Sequence, residues 1–139
     1  MVVDTGVLIS AFAFGGVPAK AVKKAFSEAD LYISPSLLDE YRNVPLAMKK
    51  AGKIDDNQFR ALIAGISASV SKIKIIYPDL KIDILCRDKS DNMVIECCVA
   101  AKADFLITGD KDLLSIKDLP YKFKILSPRE YIRILQFSV

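Results

Sequence analysis

The sequence predicts an α/β protein, a parallel sheet covered by helices. Three observations predict it. Short apolar runs alternate with helical stretches along the whole chain. Those runs are mostly apolar rather than alternating, as strands buried on both faces are. Two of them have a carboxylate just past their exit, Asp4 directly after Val2-Val3 and Asp110 beyond Phe105-Leu106-Ile107 with Thr108-Gly109 between. In parallel sheets, function gathers outside the carboxyl ends of the strands.

Residues 1–4 read as a buried strand ending in Asp4, and Thr5 to Phe14 as a helix broken by Gly15-Gly16. Pro18 suits the first turn of a second helix running to about Ala29. On it Ala21, Val22, Ala25 and Phe26 share one face, while Lys20, Lys23 and Lys24 face outward. Leu31-Tyr32-Ile33 is a short strand. Ser34 or Ser36 caps the helix that follows, where Leu37, Leu38, Tyr41 and Val44 form the apolar stripe and Glu40 lies one turn after Ser36. Pro45 is expected to kink or end that helix. A basic loop with Lys49, Lys50 and Lys53 leads to a helix from Asp55-Asp56 to about Ser71. Ile73 to Tyr77 is a third strand, and 78–89 is mostly loop. A helix over 91–102 buries Val94, Ile95, Cys98 and Ala101. Phe105–Ile107 is the fourth strand, an acidic turn follows it, and Lys122 to Leu126 is the fifth strand. Pro128 opens a last helix with Tyr131, Ile132 and Leu135 inward.

Composition narrows the function. The 139 residues are expected to form one domain, 1–139, and a 52% hydrophobic fraction supplies a core. The net charge of +3 neither demands nor excludes nucleic acid. Its distribution matters more. With four carboxylates gathered in one site, 13 acidic residues remain against 20 basic ones, a surface that attracts a polyanion. The chain has no His, which removes His-based general-base catalysis, Ser-His triads and His-ligated zinc. Cys86, Cys97 and Cys98 contain no CxxC and make a poor disulfide framework, so they read as reduced, largely buried residues of a cytoplasmic protein. The apolar stretch 7–14 is too short to span a bilayer and has no basic segment before it, so no membrane association is expected.

Four acidic residues are candidate metal ligands: Asp4, Glu40, Asp91 and Asp110. Each also has a structural reading. Asp91 can cap its helix and complement the helix dipole. Asp110 and Asp112 can be turn residues in Thr108-Gly109-Asp110-Lys111-Asp112. Glu40 can lie on a solvated helix face. Asp4 stands apart. It sits among apolar residues with no Lys or Arg in the first 19 positions, and a near-buried carboxylate requires a partner from elsewhere in the fold. Clustered carboxylates repel one another and titrate high, a penalty that a divalent cation removes. Oxygen ligands without His or Cys favour Mg²⁺ or Mn²⁺. Such a site activates water for in-line attack on phosphorus. The hydroxyls of Thr5 and Thr108 are placed either to orient a carboxylate or for ordinary cap and strand-end hydrogen bonds.

These motifs resemble the PIN-domain nucleases, and most closely the VapC-like toxin components of toxin–antitoxin pairs. The resemblance spans nearly the whole chain. It starts at Val3-Asp4-Thr5 with Val7-Leu8-Ile9-Ser10, and continues at Ser34-Pro35 with Leu37-Leu38 before Glu40. Its strongest part is Asp88 and Asp91, then Ala103 to Leu114. It implies a Rossmann-like, three-layer α/β/α fold. Asp4, Glu40, Asp91 and Asp110 are then expected around Mg²⁺ or Mn²⁺ as catalytic residues of an endoribonuclease, with Asp88 and Asp112 assisting. It further implies RNA as substrate, a protein antitoxin and a homodimer. Lys20, Lys23, Lys24, Lys49, Lys50, Lys53 and Lys111 are candidates for RNA phosphate contacts. The family usually has Asn or a similar polar residue where this chain has Gly6. That departure supports an alternative, a PIN-like RNA- or protein-binding module with weak or no catalysis. A phosphoryl-accepting receiver-like domain fits less well, since the third strand exits into Tyr77-Pro78-Asp79.

Overall fold

The computed structural model describes residues 1–79 and 89–134, with only the backbone described at 89 and 90. Expectations for Asp88, Cys86 and Leu135 lie outside the described residues.

The element order is β1 (Val2–Val3), α1 (Thr5–Phe14), α2 (Gly16–Glu28), β2 (Tyr32–Ile33), α3 (Pro35–Lys50), α4 (Asp56–Val70), β3 (Lys74–Ile75), α5 (Lys89–Ala101), β4 (Phe105–Ile107), α6 (Lys111–Leu114), β5 (Lys124–Leu126) and α7 (Pro128–Arg133). β1, β4 and β5 form one parallel ladder, and β2 and β3 another. The Tyr32 N–H donates to the Met1 carbonyl at 3.0 Å and joins the two. The resulting order is 3-2-1-4-5. The chain winds outward from β1 to β2 and β3, then returns to β4 on the other side of β1. This is the doubly wound arrangement with its switch point between β1 and β4, and helices cover the central sheet in three layers. Val2, Val3, Leu106 and Ile107 are buried between the helical layers. Both residues of the edge strand β3 are exposed, although five residues there are apolar enough to suggest a longer strand.

Local sequence explains most boundaries. Asp4 caps α1 and Ser34 caps α3, with Pro35 in the first turn. Asp55 with Gln58 and Ser127 with Glu130 form capping boxes at α4 and α7. Gly15 and Gly16 both have positive φ, 76° and 69°, and the chain turns by 114° between α1 and α2. Among the described residues no single helix is long and apolar enough to cross a membrane, although α1 and α2 pass that test together as a bent pair.

Of the two outcomes expected at Pro45, a kink or an end, the end does not occur, and α3 runs on to Lys50. Proline removes one intrahelical hydrogen bond, but Leu37, Tyr41 and Pro45 are all buried along one face. Tertiary packing of that face outweighs the local cost. The acidic turn after β4 is also more ordered than expected, because Lys111–Leu114 completes one helical turn capped by Asp110.

Candidate metal centre

The four carboxylates singled out in the sequence meet in one cavity of about 540 Å³. They arrive from four elements. Asp4 is the residue at which β1 becomes α1, and its Oδ1 accepts the Thr5 N–H at 2.8 Å. Asp110 does the same between β4 and α6, accepting the Asp112 N–H at 2.8 Å. Glu40 reaches in from α3, and Asp91, only 6% exposed, from the first turn of α5. Because β1 and β4 are adjacent and parallel, their exits lie side by side at the switch point. Asp112 belongs to the cluster as well. One carboxylate oxygen from each of Asp91, Asp110 and Asp112 lies within 4.8 Å of the others.

Two threonines tie the cluster together. The Thr108 hydroxyl donates to Asp4 Oδ2 at 2.7 Å and accepts the Asp110 N–H at 3.0 Å. The Thr5 hydroxyl donates to Glu40 Oε2 at 2.8 Å. A hydrogen-bonded series therefore runs Glu40, Thr5, Asp4, Thr108, Asp110, Asp112. Each hydroxyl has one proton, and here it is committed to a carboxylate. Both Thr5 and Thr108 are buried, while the carboxylates they hold line the cavity.

Burial pushes the Asp4 carboxyl above its ordinary range. The hydrogen bonds from Thr108 and Thr5 oppose that shift, and the charges of Glu40 and Asp110 add to it. Negative charge is thus gathered where it is poorly solvated. The donors are all hard oxygens, and three of them lie within 4.8 Å of one another. The residues present fit Mg²⁺ or Mn²⁺.

The lysines divide. Lys24 is half-buried, donates to the carbonyls of Tyr131 and Ile134 at 3.0 and 2.8 Å, and lies 4.2 Å over the Tyr131 ring. It caps α7 rather than facing solvent, which corrects its expected outward orientation. Lys49 pairs with Asp56 at 3.5 Å and covers the Phe59 ring at 4.7 Å. Lys20, Lys23, Lys50, Lys53 and Lys111 are exposed.

Sequence reasoning missed the cavity's other walls. Pro18 of α2, Val44 of α3 and Pro128 of α7 line it, with Ser10 of α1, beside Gly6, which the sequence had already singled out. Proline and valine in helix turns carry no signal that distinguishes a cavity wall from a core. At Gly6 an added Cβ would meet nothing within 4 Å, so a side chain there would enter open space at the cavity.

Comparison with known proteins agrees with this architecture. Residues 1–112 match the PIN domain family. An uncharacterised protein of Methanocaldococcus jannaschii, MJ1680, is 34% identical over 143 aligned positions, covering 95% of this chain and 88% of that protein. VapBC2 from Rickettsia felis, solved in complex with a DNA fragment from its promoter, has a chain of the same fold, with a TM-score of 0.59 at 13% identity. The match covers 91% of this chain and 96% of that one. The chain belongs to the PIN-domain family.

Proposed function

We propose that this protein is a Mg²⁺- or Mn²⁺-dependent endoribonuclease, folded as one domain over 1–139, and the toxin of a toxin–antitoxin pair. The observation that carries the reading is the convergence of Asp4, Glu40, Asp91 and Asp110 in one cavity at the carboxyl ends of β1 and β4. Membership of the PIN-domain family supports it.

Asp4, Glu40, Asp91 and Asp110 would surround the ion in one cavity, and Asp112 lies close enough to Asp91 and Asp110 to join them. When bound, such an ion offsets the carboxylates' repulsion, polarises a phosphoryl oxygen and provides a nucleophilic water at neutral pH. The chain's own residues prepare the site. Thr108 and Thr5 hold Asp4 and Glu40 in fixed orientations. Asp110 is held by the backbone of α6. Exposed Lys20, Lys23, Lys50, Lys53 and Lys111 contact RNA phosphates, and the two engaged lysines contribute less.

The protein partner is an antitoxin that closes the cavity, and the chain acts in the cytoplasm as a homodimer. The likeness to VapBC2 from Rickettsia felis supports a paired antitoxin. The decisive experiment is cleavage of single-stranded RNA with Mn²⁺, comparing wild type with Asp4→Asn and Asp91→Asn. We expect both variants to lose at least about a hundredfold, the scale set by removing a group that acts on the transition state. Equal rates in all three proteins would sink the mechanism.

A further inference from the structure

Tyr41 is buried and directly follows Glu40 on α3. Its hydroxyl donates to the Val3 carbonyl at 2.6 Å, across 38 residues of sequence. The partner is informative. Along β1, successive residues turn their peptide groups to opposite neighbours. The Asp4 N–H faces β4 and bonds the Ile107 carbonyl, whereas the Met1 carbonyl faces β2 and accepts the Tyr32 N–H. Val3 therefore faces the β2 side. β2 ends at Ile33, and Ser34 already caps α3. Where the sheet opens, a side-chain hydroxyl from α3 takes the place of a strand amide.

A second link between the same two segments lies one residue away on α3, the Thr5 hydroxyl to Glu40 Oε2 at 2.8 Å. The Val3–Tyr41 and Thr5–Glu40 bonds flank Asp4 on either side. The first is buried, so water cannot exchange with it; the second borders the cavity. Glu40 Oε2 would be shared between the Thr5 hydroxyl and a cation held in the cavity. The Val3–Tyr41 bond still holds α3 in register with the β1 exit.

We propose that Tyr41 is a positioning residue for the metal centre, whose bond to the Val3 carbonyl fixes the distance between the Glu40 helix and the Asp4 strand exit. The inference rests on the metal-centre reading of the cavity. It assigns a role in the site to a residue that touches no substrate and that apolar periodicity alone places in the core.

The test is Mn²⁺ affinity measured by calorimetry, independent of RNA cleavage. Tyr41→Phe keeps the ring and removes the hydroxyl. It is expected to weaken Mn²⁺ binding about tenfold or more, the effect typical of a lost supporting bond. Tyr131→Phe is the control. That ring is equally buried, but its hydroxyl bonds Glu28 at 3.1 Å, so its removal is expected to leave Mn²⁺ affinity within about twofold of wild type. In a Glu40→Gln background Tyr41→Phe should cause little further loss, because both changes disrupt one linkage. The inference is overturned if Tyr41→Phe binds like wild type, if Tyr131→Phe loses as much, or if the losses with Glu40→Gln add in full. A Tyr41→Phe chain that fails to fold by circular dichroism also overturns it, in favour of a purely structural role. Absence of Mn²⁺ binding in wild type overturns the metal-centre reading itself, and this inference with it.

Discussion

The hydroxyl of Thr108 donates to Asp4 Oδ2 at 2.7 Å, joining residues 104 positions apart in sequence. Thr108 Oγ1 also accepts the Asp110 N–H, so one side chain couples the exits of β1 and β4. Parallel pairing of Val3 with Ile107 places those exits together, and the buried threonine orients the carboxylates that leave them.

Thr108→Val keeps the shape and removes both bonds. We expect Mn²⁺ affinity to fall between about tenfold and a hundredfold, as when a supporting partner of a metal ligand is lost. Thr108→Ser keeps the hydroxyl and should stay within a few-fold of wild type. Calorimetric titration of the two variants decides the point. Equal losses would assign the effect to packing rather than to the hydroxyl.

Asp4 makes metal-free stability depend on pH. Its folded pKa lies above the ordinary carboxylate value, first because of burial. Between the ordinary value and the folded value the native chain binds more protons than the unfolded one. Stability therefore falls as pH rises through that window. Above the window both states are ionised and the whole penalty applies. Thermal melts in chelator should show this fall in wild type and a flatter profile with a higher Tm in Asp4→Asn. Saturating Mn²⁺ should reverse the order, since a ligand at a hundredfold excess over its Kd stabilises by about 2.7 kcal/mol.

Two glycines on helices should respond oppositely to alanine. Gly6 has open space around its missing Cβ, so Gly6→Ala should stabilise by roughly 0.5–1 kcal/mol through helix propensity. At Gly65 a Cβ would lie 2.4 Å from the Phe12 ring, so the ring must move, and Gly65→Ala should cost about 1–3 kcal/mol. Denaturant midpoints measured side by side test both signs. Gly6→Asn additionally places a polar side chain at the cavity, and a gain in Mn²⁺-dependent cleavage is expected if that position limits activity.

Lysines with different partners should separate in salt titrations of RNA binding. Lys20→Ala and Lys111→Ala each remove an exposed cation, and each should reduce the slope of log affinity against log salt by about 0.7 for single-stranded RNA. Lys24→Ala should leave the slope unchanged. It should lower Tm instead, because Lys24 satisfies two carbonyls at the end of α7 and pairs with Glu28 at 3.5 Å. A slope change at Lys24 equal to that at Lys20 would show that its buried contacts open on binding.

Much of the architecture is legible in the chain because its causes are local. Val2-Val3 and Phe105–Ile107 are apolar runs with a carboxylate within three residues of their ends, and each carboxylate then caps the next helix. That places Asp4 and Asp110 at strand exits without knowledge of the sheet. Ser34, Asp55 and Ser127 mark helix starts by side-chain chemistry that acts within three residues. The quartet Asp4, Glu40, Asp91 and Asp110 could be named for the same reason: each stands at a motif with its own sequence signature.

Other features depend on long-range packing, which no short window contains. Glu40 lies between exposed Asp39 and buried Tyr41, and its direction is set only when Tyr41 docks on the Val3 carbonyl. Lys24 reads as one of three outward lysines until α7 arrives beside α2. Pro45 reads as a helix kink or end until burial of its face carries α3 past it. Asp91 to Leu114 alone is compatible with a cap and a turn. It becomes one wall of an acidic cavity because β4 pairs with β1, bringing Thr108 to Asp4 and two distant carboxylate groups to one crevice. Periodicity and capping are near-neighbour properties and can be read in order along the chain. The meeting of strand exits is set by pairing order, and that follows from how the whole apolar surface is buried at once.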